Sequence, residues 1–393
     1  MNQDFRRATQ LALLVLMGCS GDPSLTDGDN DSAAFVPCEG EAAPLDPNAQ
    51  QVGQENELYS GELVKALCES GEVVDVLGSI SFNGLDEDLK LEHLSCVQSV
   101  AGSLSLHEAT ELDLADLSGL LAVGSLVIDD GDLTTLAGLE TVAPAVTDLS
   151  IDGDSLSDLS ALQCANTLGT LIIGGTGVTD LSGFSGLRVL SGRLRVEHGV
   201  ALEDATLPTL ESVVGDVELR FSAGLTRASF PALVTAGGVE LYENDVLLSV
   251  EAPLVGPMPT EGSVFDANFG WNPMLETVVL GEGDASMPLN LTLTDSPALH
   301  ILTGLGGFRE LATLDISGTT ALREMPPLAV TKASGDVLIV ASGVTSLGFL
   351  SDLRTVGGSL TITDNLNLTQ GECEAFAAQV TVGGTVTVSG NGG

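Results

Sequence analysis

Charged residues of opposite sign stand at matching places in three successive segments of the chain. The first segment carries Arg193, Arg195 and Glu197, the second Asp216, Glu218 and Arg220, and the third Glu240 and Tyr242. If these segments are neighbouring parallel strands in register, each of the three facing pairs between the first two strands joins an acid to a base. Five of the eight arginines that follow Cys19 lie in the span 188–227.

Two kinds of chemistry fit this arrangement. Cross-strand ion pairs would stabilise the fold by about a few tenths of a kcal/mol each. A recognition patch is the other, because Arg and Tyr are common at binding surfaces, and Trp271 lies close by in sequence. A polysaccharide-active β-helix enzyme is a second alternative; such enzymes need clustered carboxylates, or an Arg beside acids, on one sheet. Only the region of Arg195, Glu218 and Glu240 could supply that, and its residues face one another as pairs, so we expect no catalysis.

The remaining polar residues suggest no other chemistry. His93, His107, His198 and His300 are scattered and have no metal-ligand spacing. Nucleophile-elbow, phosphate-loop and dinucleotide-binding motifs are missing from the sequence. We therefore expect no catalytic residue, no metal ligand and no cofactor.

A repeat of about 23 residues places these side chains. Its marker is an apolar-x-apolar pair, often preceded by Gly and followed at the fifth position by Asn, Asp, Ser or Gly. The fourteen pairs are Ile80/Phe82, Leu104/Leu106, Leu126/Ile128, Leu149/Ile151, Leu171/Ile173, Leu194/Val196, Val217/Leu219, Val239/Leu241, Ala267/Phe269, Leu291/Leu293, Leu314/Ile316, Val337/Ile339, Leu360/Ile362 and Val386/Val388. Alternation indicates strands with one buried face.

One strand per coil predicts a mainly β repeat solenoid of about 14 coils, with a parallel sheet roughly 60 Å long. The spacing stretches to 28 between Val239 and Ala267. This predicts an insertion near 252–263, a proline-containing loop (Pro253, Pro257 and Pro259) with Phe265 and Trp271 beside it. One helix is expected, over 372–379.

The stretches GGSLTITDNLNL (357–368), FPALVTAGGVELYENDVL (230–247) and GGTVTVSGN (383–391) resemble receptor L-domain repeats, relatives of leucine-rich repeats. The resemblance covers about four-fifths of the chain. It implies a right-handed parallel β-helix or leucine-rich-repeat-like array, and a non-enzymatic binding or surface-structural role. It transfers no binding residue to this sequence.

The N-terminus has the features of an export signal. Arg6 and Arg7 precede an apolar run over 11–16, which is too short to span a bilayer. Leu16-Met17-Gly18-Cys19 resembles the lipobox of bacterial lipoproteins, which implies acylation of Cys19; Ser20 favours the outer membrane. We expect a signal peptide over 1–18, an acidic tether over 19–37, an N-terminal cap over 38–77 and the solenoid over 78–393.

The net charge of the chain limits the classes of partner that it can bind. The net charge is −42, arising from 55 acids against only 13 lysines and arginines. Such a surface repels nucleic acid and favours a monomer through self-repulsion. The expected partners are the membrane, through the lipid, and a protein or glycan ligand; a passive envelope coat without a specific ligand is the alternative.

Five cysteines follow Cys19, and the coil register limits their pairing. Cys96 and Cys164 would stand about 14 Å apart along the axis, beyond the ~7 Å that a disulfide can bridge. A bridge is expected only among Cys38, Cys68 and Cys96, with Cys38–Cys68 as the candidate that would fasten the cap. We expect Cys164 and Cys373 to be free thiols.

Overall fold

Parallel strands stacked coil upon coil form the molecule. The computed structural model describes residues 45–54, 57–83, 91–107, 114–129, 133–140, 146–153, 155–175, 177–257 and 263–393. Cys19, Cys38, the predicted signal peptide and the predicted tether lie outside the described residues.

The front sheet is the face on which Arg195 and Glu218 lie. Its fifteen strands lie in Leu58–Ser60, Ser79–Asn83, Val97–His107, Ala122–Asp129, Val146–Asp152, Leu171–Gly174, Leu194–Glu197, Asp216–Arg220, Gly238–Tyr242, Phe265–Asn268, Leu289–Thr294, Glu310–Ser317, Val337–Val340, Leu360–Thr363 and Val386–Ser389. Each pairs in parallel with the next. Every predicted pairing is present, from Ile80 opposite Leu104 to Leu360 opposite Val386. The predicted β solenoid and its register are confirmed.

The ladder begins inside the segment predicted as a cap. Leu58–Ser60 pairs with the strand Ser79–Asn83, and Gln50–Val52 pairs with Val74–Val76. Sequence inspection missed this first coil because its front strand has one buried residue, Tyr59 (7% exposed), where the repeat marker needs an apolar pair.

Shorter strands cover the other two sides of the coils. On the second side they are Gln50–Val52, Val74–Val76, Thr167–Leu168, Val189–Leu190, Ser212–Val213, Thr235–Ala236, Gly256–Pro257, Lys332–Ala333, Thr355–Val356 and Thr381–Val382. On the third side they are Asp204–Thr206, Arg227–Ser229, Ser249–Ala252, Thr277–Leu280 and Ile301–Thr303. Elsewhere that side carries 3-10 turns, at Leu91–Leu94, Leu114–Gly119, Ser160–Leu162, Ser182–Phe184 and Gly348–Leu350.

Tight stacking explains the glycine that often precedes a front strand. A Cβ added at Gly102 would lie 2.7 Å from the carbonyl oxygen of Gly78 in the coil before it. Side chains larger than hydrogen are therefore excluded at this bend. Inside, the two apolar residues of the front strands from Ser79–Asn83 to Leu360–Thr363 are buried, as Leu194 (0% exposed) and Val196 (1%) illustrate; in the last front strand Val386 is 49% exposed.

A polar ladder runs through the core where each front strand ends. The Asn244 side-chain amide donates to the Leu219 carbonyl at 3.0 Å and to the Asn272 Oδ1 at 3.2 Å. Asn272 in turn donates to the Leu241 carbonyl at 2.9 Å. These are the fifth-position residues of the repeat, so the turn predicted there is confirmed. The order apolar-x-apolar-x-x-Asn at 239–244 and 267–272 is similar to that of leucine-rich repeats.

Two α-helices are present among the described residues, where one was expected. The expected helix forms at Gln370–Gln379, capped by Thr369, whose hydroxyl accepts from the Glu372 N–H. The second, Gly61–Cys68, is capped by Ser60. Neither described helix is long and apolar enough to cross a membrane.

The cysteine pairing differs from prediction. Cys68, at the end of the first helix, is bridged to Cys96 with a Cα–Cα distance of 5.3 Å. This pair belongs to the predicted set of Cys38, Cys68 and Cys96, but the candidate Cys38–Cys68 bridge is wrong. The helix brings Cys68 next to the following coil, where Cys96 lies. Cys164 is also disulfide-bonded, so its prediction as a free thiol is wrong. That prediction rested on the axial distance between coils, which excludes only a bridge between two cysteines in distant coils. Cys373 is free and buried, as predicted.

The extra residues of the longest coil are confined to one side. Thr235 pairs with Gly256, at ordinary spacing, whereas Gly238 pairs with Asp266. The addition therefore lies between Gly256 and Asp266, and its residues 258–262 lie outside the described residues. Pro253 belongs to a regular turn, so the inserted part is shorter than predicted.

Candidate functional site

Glu218 is the centre of the charged cluster on the front sheet. Its side chain is 5% exposed, and bases reach it from the preceding strand (Arg195) and from its own strand (Arg220). The Glu218 Oε2 lies 2.8 Å from the Arg195 Nη2 and 3.3 Å from the Arg220 Nη2. Its Oε1 lies 3.6 Å from the Arg193 Nη1. One buried carboxylate thus neutralises part of the charge of three guanidinium groups.

The predicted facing pairs are only partly realised. Arg195 faces and binds Glu218, as expected. Arg220 faces Glu197 in the register, but its Nη2 donates to the Glu240 carboxylate at 2.6 Å. Arg193 forms its ion pair with Glu218 instead of Asp216. The long, flexible arginine side chains gather around the most buried acid, because an unpaired carboxylate there would be costly.

Two acids beside this cluster have altered titration. Desolvation, reinforced by the carboxylates of Asp266 and Glu218, raises the pKa of Asp216. Desolvation also raises the pKa of Glu240, although Arg220 opposes the shift. Gly238 stands between Asp216 and Asp266 in the ladder, so no side chain separates those two carboxylates.

An aromatic ridge borders the cluster where the front strands end; it consists of His198, Phe221, Tyr242 and Trp271. The rings of His198 and Phe221 stack with centroids 5.2 Å apart, and Tyr242 meets Phe221 edge-on at 6.2 Å. Phe221 is 38% and Trp271 51% exposed. The fully buried large aromatics are phenylalanines of the core, such as Phe184 and Phe230.

Backbone geometry turns the ridge outward. His198, Phe221 and Trp271 have φ values of 56°, 53° and 57°, in the left-handed region that side chains other than Gly rarely adopt. The buried ladder residues that follow them hold this corner: the N–H of Ser222 donates to the Asn244 Oδ1 at 3.1 Å, and the N–H of Asn272 donates to the Ser296 Oγ at 3.2 Å. The same left-handed backbone recurs at this position in other coils, for example at Ala341 and Asp364, so the repeat produces it, and the exposed rings are what distinguish these three coils.

The structure therefore brings most residues of the predicted patch together. Three adjacent strands carry seven of its residues, Arg195, Glu197, Asp216, Glu218, Arg220, Glu240 and Tyr242, and Arg193 directly precedes the first strand. Trp271 stands at the far end of its strand from the insertion, and Phe265 is buried against Phe308 with centroids 5.6 Å apart.

Sequence reasoning missed His198 and Phe221. The signal was present: both directly precede the fifth position of the repeat, as Trp271 does. Aligning the coils at that column would have grouped the three rings. In the described part of the chain, no group of three or more His, Cys, Asp or Glu is arranged to hold a metal ion.

No protein-family model matches the chain, and no curated protein matches its sequence. Among solved structures, an internalin from Listeria monocytogenes is similar at 15% identity, covering 84% of this chain and 88% of that one, with a TM-score of 0.36. A leucine-rich-repeat protein from Leptospira interrogans is similar at 12% identity, covering 83% and 99%, with a TM-score of 0.23. Neither structure assigns a partner to this chain.

Proposed function

We propose that the chain is a non-catalytic binding or adhesion protein whose front sheet meets a protein or glycan partner. The observation that carries this proposal is the aromatic ridge, with Trp271 51% exposed, beside the cluster centred on Glu218. Trp, Tyr and Arg are the residues that dominate binding energy at interfaces. Most other front-sheet strands present small or polar side chains, such as Ser103 and Thr361.

The pairing within the cluster supports a non-catalytic role. Glycoside cleavage needs one carboxylic acid and one carboxylate free to reach the scissile bond. Glu218 is 5% exposed and bound by arginines, and Glu240 is held by Arg220. In this arrangement Arg195 and Arg220 position strands and fix the shape of the surface.

Cell-surface attachment is the second part of the proposal. The apolar run over 11–16 followed by Leu16-Met17-Gly18-Cys19 supports export and lipidation at Cys19, with Ser20 supporting the outer membrane. Several acyl chains would give stable anchoring at ~0.8 kcal/mol per buried CH₂. Palmitate labelling tests this: Cys19→Ser should abolish incorporation and release the protein from the membrane fraction, and persistent labelling would contradict it.

A binding screen tests the role of the front sheet. Wild type and Tyr242→Ala/Trp271→Ala are compared on glycan arrays and whole cells, with Leu366→Ala as the control, because Leu366 is 80% exposed but lies far from the cluster. We expect the double variant to lose binding and the control to retain it. If the double variant still binds, the patch is not the binding site. No binding by wild type favours a coat protein, and release of reducing or unsaturated sugars favours an enzyme.

A further inference from the structure

A column of side chains at the left-handed corner continues past the aromatic ridge. In successive coils it contains His198, Phe221, Glu243, Trp271 and Asp295, with φ between 48° and 57°. Backbone hydrogen bonds connect the coils at this column. The N–H of Glu243 donates to the Gly270 carbonyl at 3.3 Å, and the N–H of Trp271 donates to the Thr294 carbonyl at 2.8 Å. Neighbouring members stand about 4.8 Å apart.

Trp271 therefore lies between two acids. Glu243 occupies the column one coil before it and Asp295 one coil after it, and both are exposed. Neither forms an ion pair with another described residue. Desolvation raises the pKa of Tyr242, followed by the charge of Glu243, a hydrogen bond from the phenol to that carboxylate, and the charge of Asp295. Both acids therefore lie near the same phenol. The carboxylates and the indole are thus presented to solvent together.

The nearby arginines do not neutralise this end of the surface. Arg195 and Arg220 are held by Glu218 and Glu240, with their closest approaches at 2.8 and 2.6 Å. Exposed Asp245, two residues beyond Glu243, adds another negative charge to the corner. The surface that a partner meets at Trp271 is therefore aromatic and acidic.

An aromatic face flanked by carboxylates is complementary to a cation. An ammonium or guanidinium group over an indole gains about 0.5–2 kcal/mol, depending on its desolvation, and carboxylates on both sides add ion pairs. The net charge of −42 attracts a basic partner over longer range and repels an acidic one. A neutral glycan would use the ring but gain nothing from the two charges.

We infer that the column binds a basic segment of a partner protein, seating a lysine or arginine side chain on Trp271 between Glu243 and Asp295. This inference rests on the proposed function, because it names the chemistry of the partner that the front sheet meets. It selects a protein ligand over a glycan.

Trp271 is the chain's only tryptophan, so its fluorescence reports this position alone. The purified full chain is titrated with an arginine–glycine–serine repeat peptide that contains no aromatic residue. A glutamate–glycine–serine peptide and a neutral oligosaccharide serve as comparisons. We expect a saturable change in emission with the basic peptide only, weakened by added salt because the contacts are ionic.

Charge-removing variants locate the contact. Glu243→Gln/Asp295→Asn should weaken the peptide about tenfold, corresponding to roughly 1.4 kcal/mol. Asp364→Asn is the matched control, since Asp364 is exposed and left-handed (φ 60°) in the same column, remote from Trp271. It should change the dissociation constant less than about twofold. Trp271→Leu, followed by calorimetry, should weaken binding about fivefold.

Four results would overturn the inference. If the emission does not change with the basic peptide, the peptide does not contact Trp271. If Asp364→Asn and the double variant lose equal affinity, the attraction is diffuse. A response to the oligosaccharide alone assigns a glycan, leaving the proposed function intact. If wild type binds neither probe nor any cell or glycan in the screen, the proposed function itself fails, and the inference fails with it.

Discussion

Glu218 and Arg195 lie on adjacent strands, and the Oε2 and Nη2 atoms of their side chains meet at 2.8 Å while Glu218 stays 5% exposed. This pair differs from an ordinary surface ion pair, because its acid is shielded from water and shared with two further arginines. The cluster is consequently part of the solenoid's internal support as well as of its front surface.

Removing the Glu218 carboxylate should lower the free energy of unfolding. Glu218→Ala leaves Arg193, Arg195 and Arg220 without their common partner, and breaking a buried pair destabilises by about 3–5 kcal/mol. Urea unfolding measures the loss. Glu251→Ala is the control, because it removes a cross-strand pair with Arg227 (3.0 Å) whose side chains are 42% and 49% exposed. A change below about 1 kcal/mol is expected there; equal losses would show that burial at Glu218 has no special role.

The core ladder makes a second prediction. Asn272→Ala removes the donor to the Leu241 carbonyl and the acceptor of the Asn244 N–H. Each buried group left unsatisfied costs about 1–3 kcal/mol, so a clear loss of unfolding free energy is expected. Asn367→Ala, which removes one exposed side chain that donates to the Gly343 carbonyl, should have little effect. Similar midpoints for the two variants would contradict the ladder's contribution.

Asp216 should make stability depend on pH. Its folded-state pKa is raised above the ordinary value of 3.8, first by desolvation and then by Asp266 and Glu218. The folded state therefore binds the proton more tightly, so this group's stabilisation is present at low pH and is lost as pH rises through the raised pKa. Asp216→Asn should remove this contribution and unfold at higher urea than wild type at pH 7. A steeper loss toward neutral pH in the variant would contradict the assignment.

Cysteine reactivity tests the N- and C-terminal coils together. Peptide mapping without reduction should recover Cys68 linked to Cys96. Burial, followed by the Glu372 carboxylate, raises the pKa of the Cys373 thiol, so little thiolate is present at neutral pH. Cys373 should react with iodoacetamide only after denaturation. Rapid modification of the native chain would contradict its burial.

The fold was predictable because its signal repeats. Leu194 opposite Val217 and Val239 opposite Ala267 follow from the apolar pairs alone, since a slip of one residue would expose every inward side chain. The sequence could not show that Arg220 would turn from Glu197 to Glu218 and Glu240. That choice depends on side-chain torsions and local burial, which the register does not specify.

Other features were missed for different reasons. The helix Gly61–Cys68 has a capping serine but is only one short amphipathic segment, and its position decides the Cys68–Cys96 bridge. His198 and Phe221 differ in residue type from Glu243 and Trp271 in the same column, so pattern matching by type did not connect them. Their shared property is backbone conformation, which becomes visible when the coils are superimposed.

Side-chain footprinting of a complex tests the central claim most directly. Full chain, alone and saturated with a partner from the binding screen, is exposed to hydroxyl radicals, and oxidation is mapped by mass spectrometry. The exposed side chains Phe221, Trp271 and Met274 should lose reactivity on binding, while Leu366, 80% exposed on a distant coil, should not. Protection at Leu366 or on another side of the coils, with Trp271 unchanged, would contradict the front-sheet binding surface.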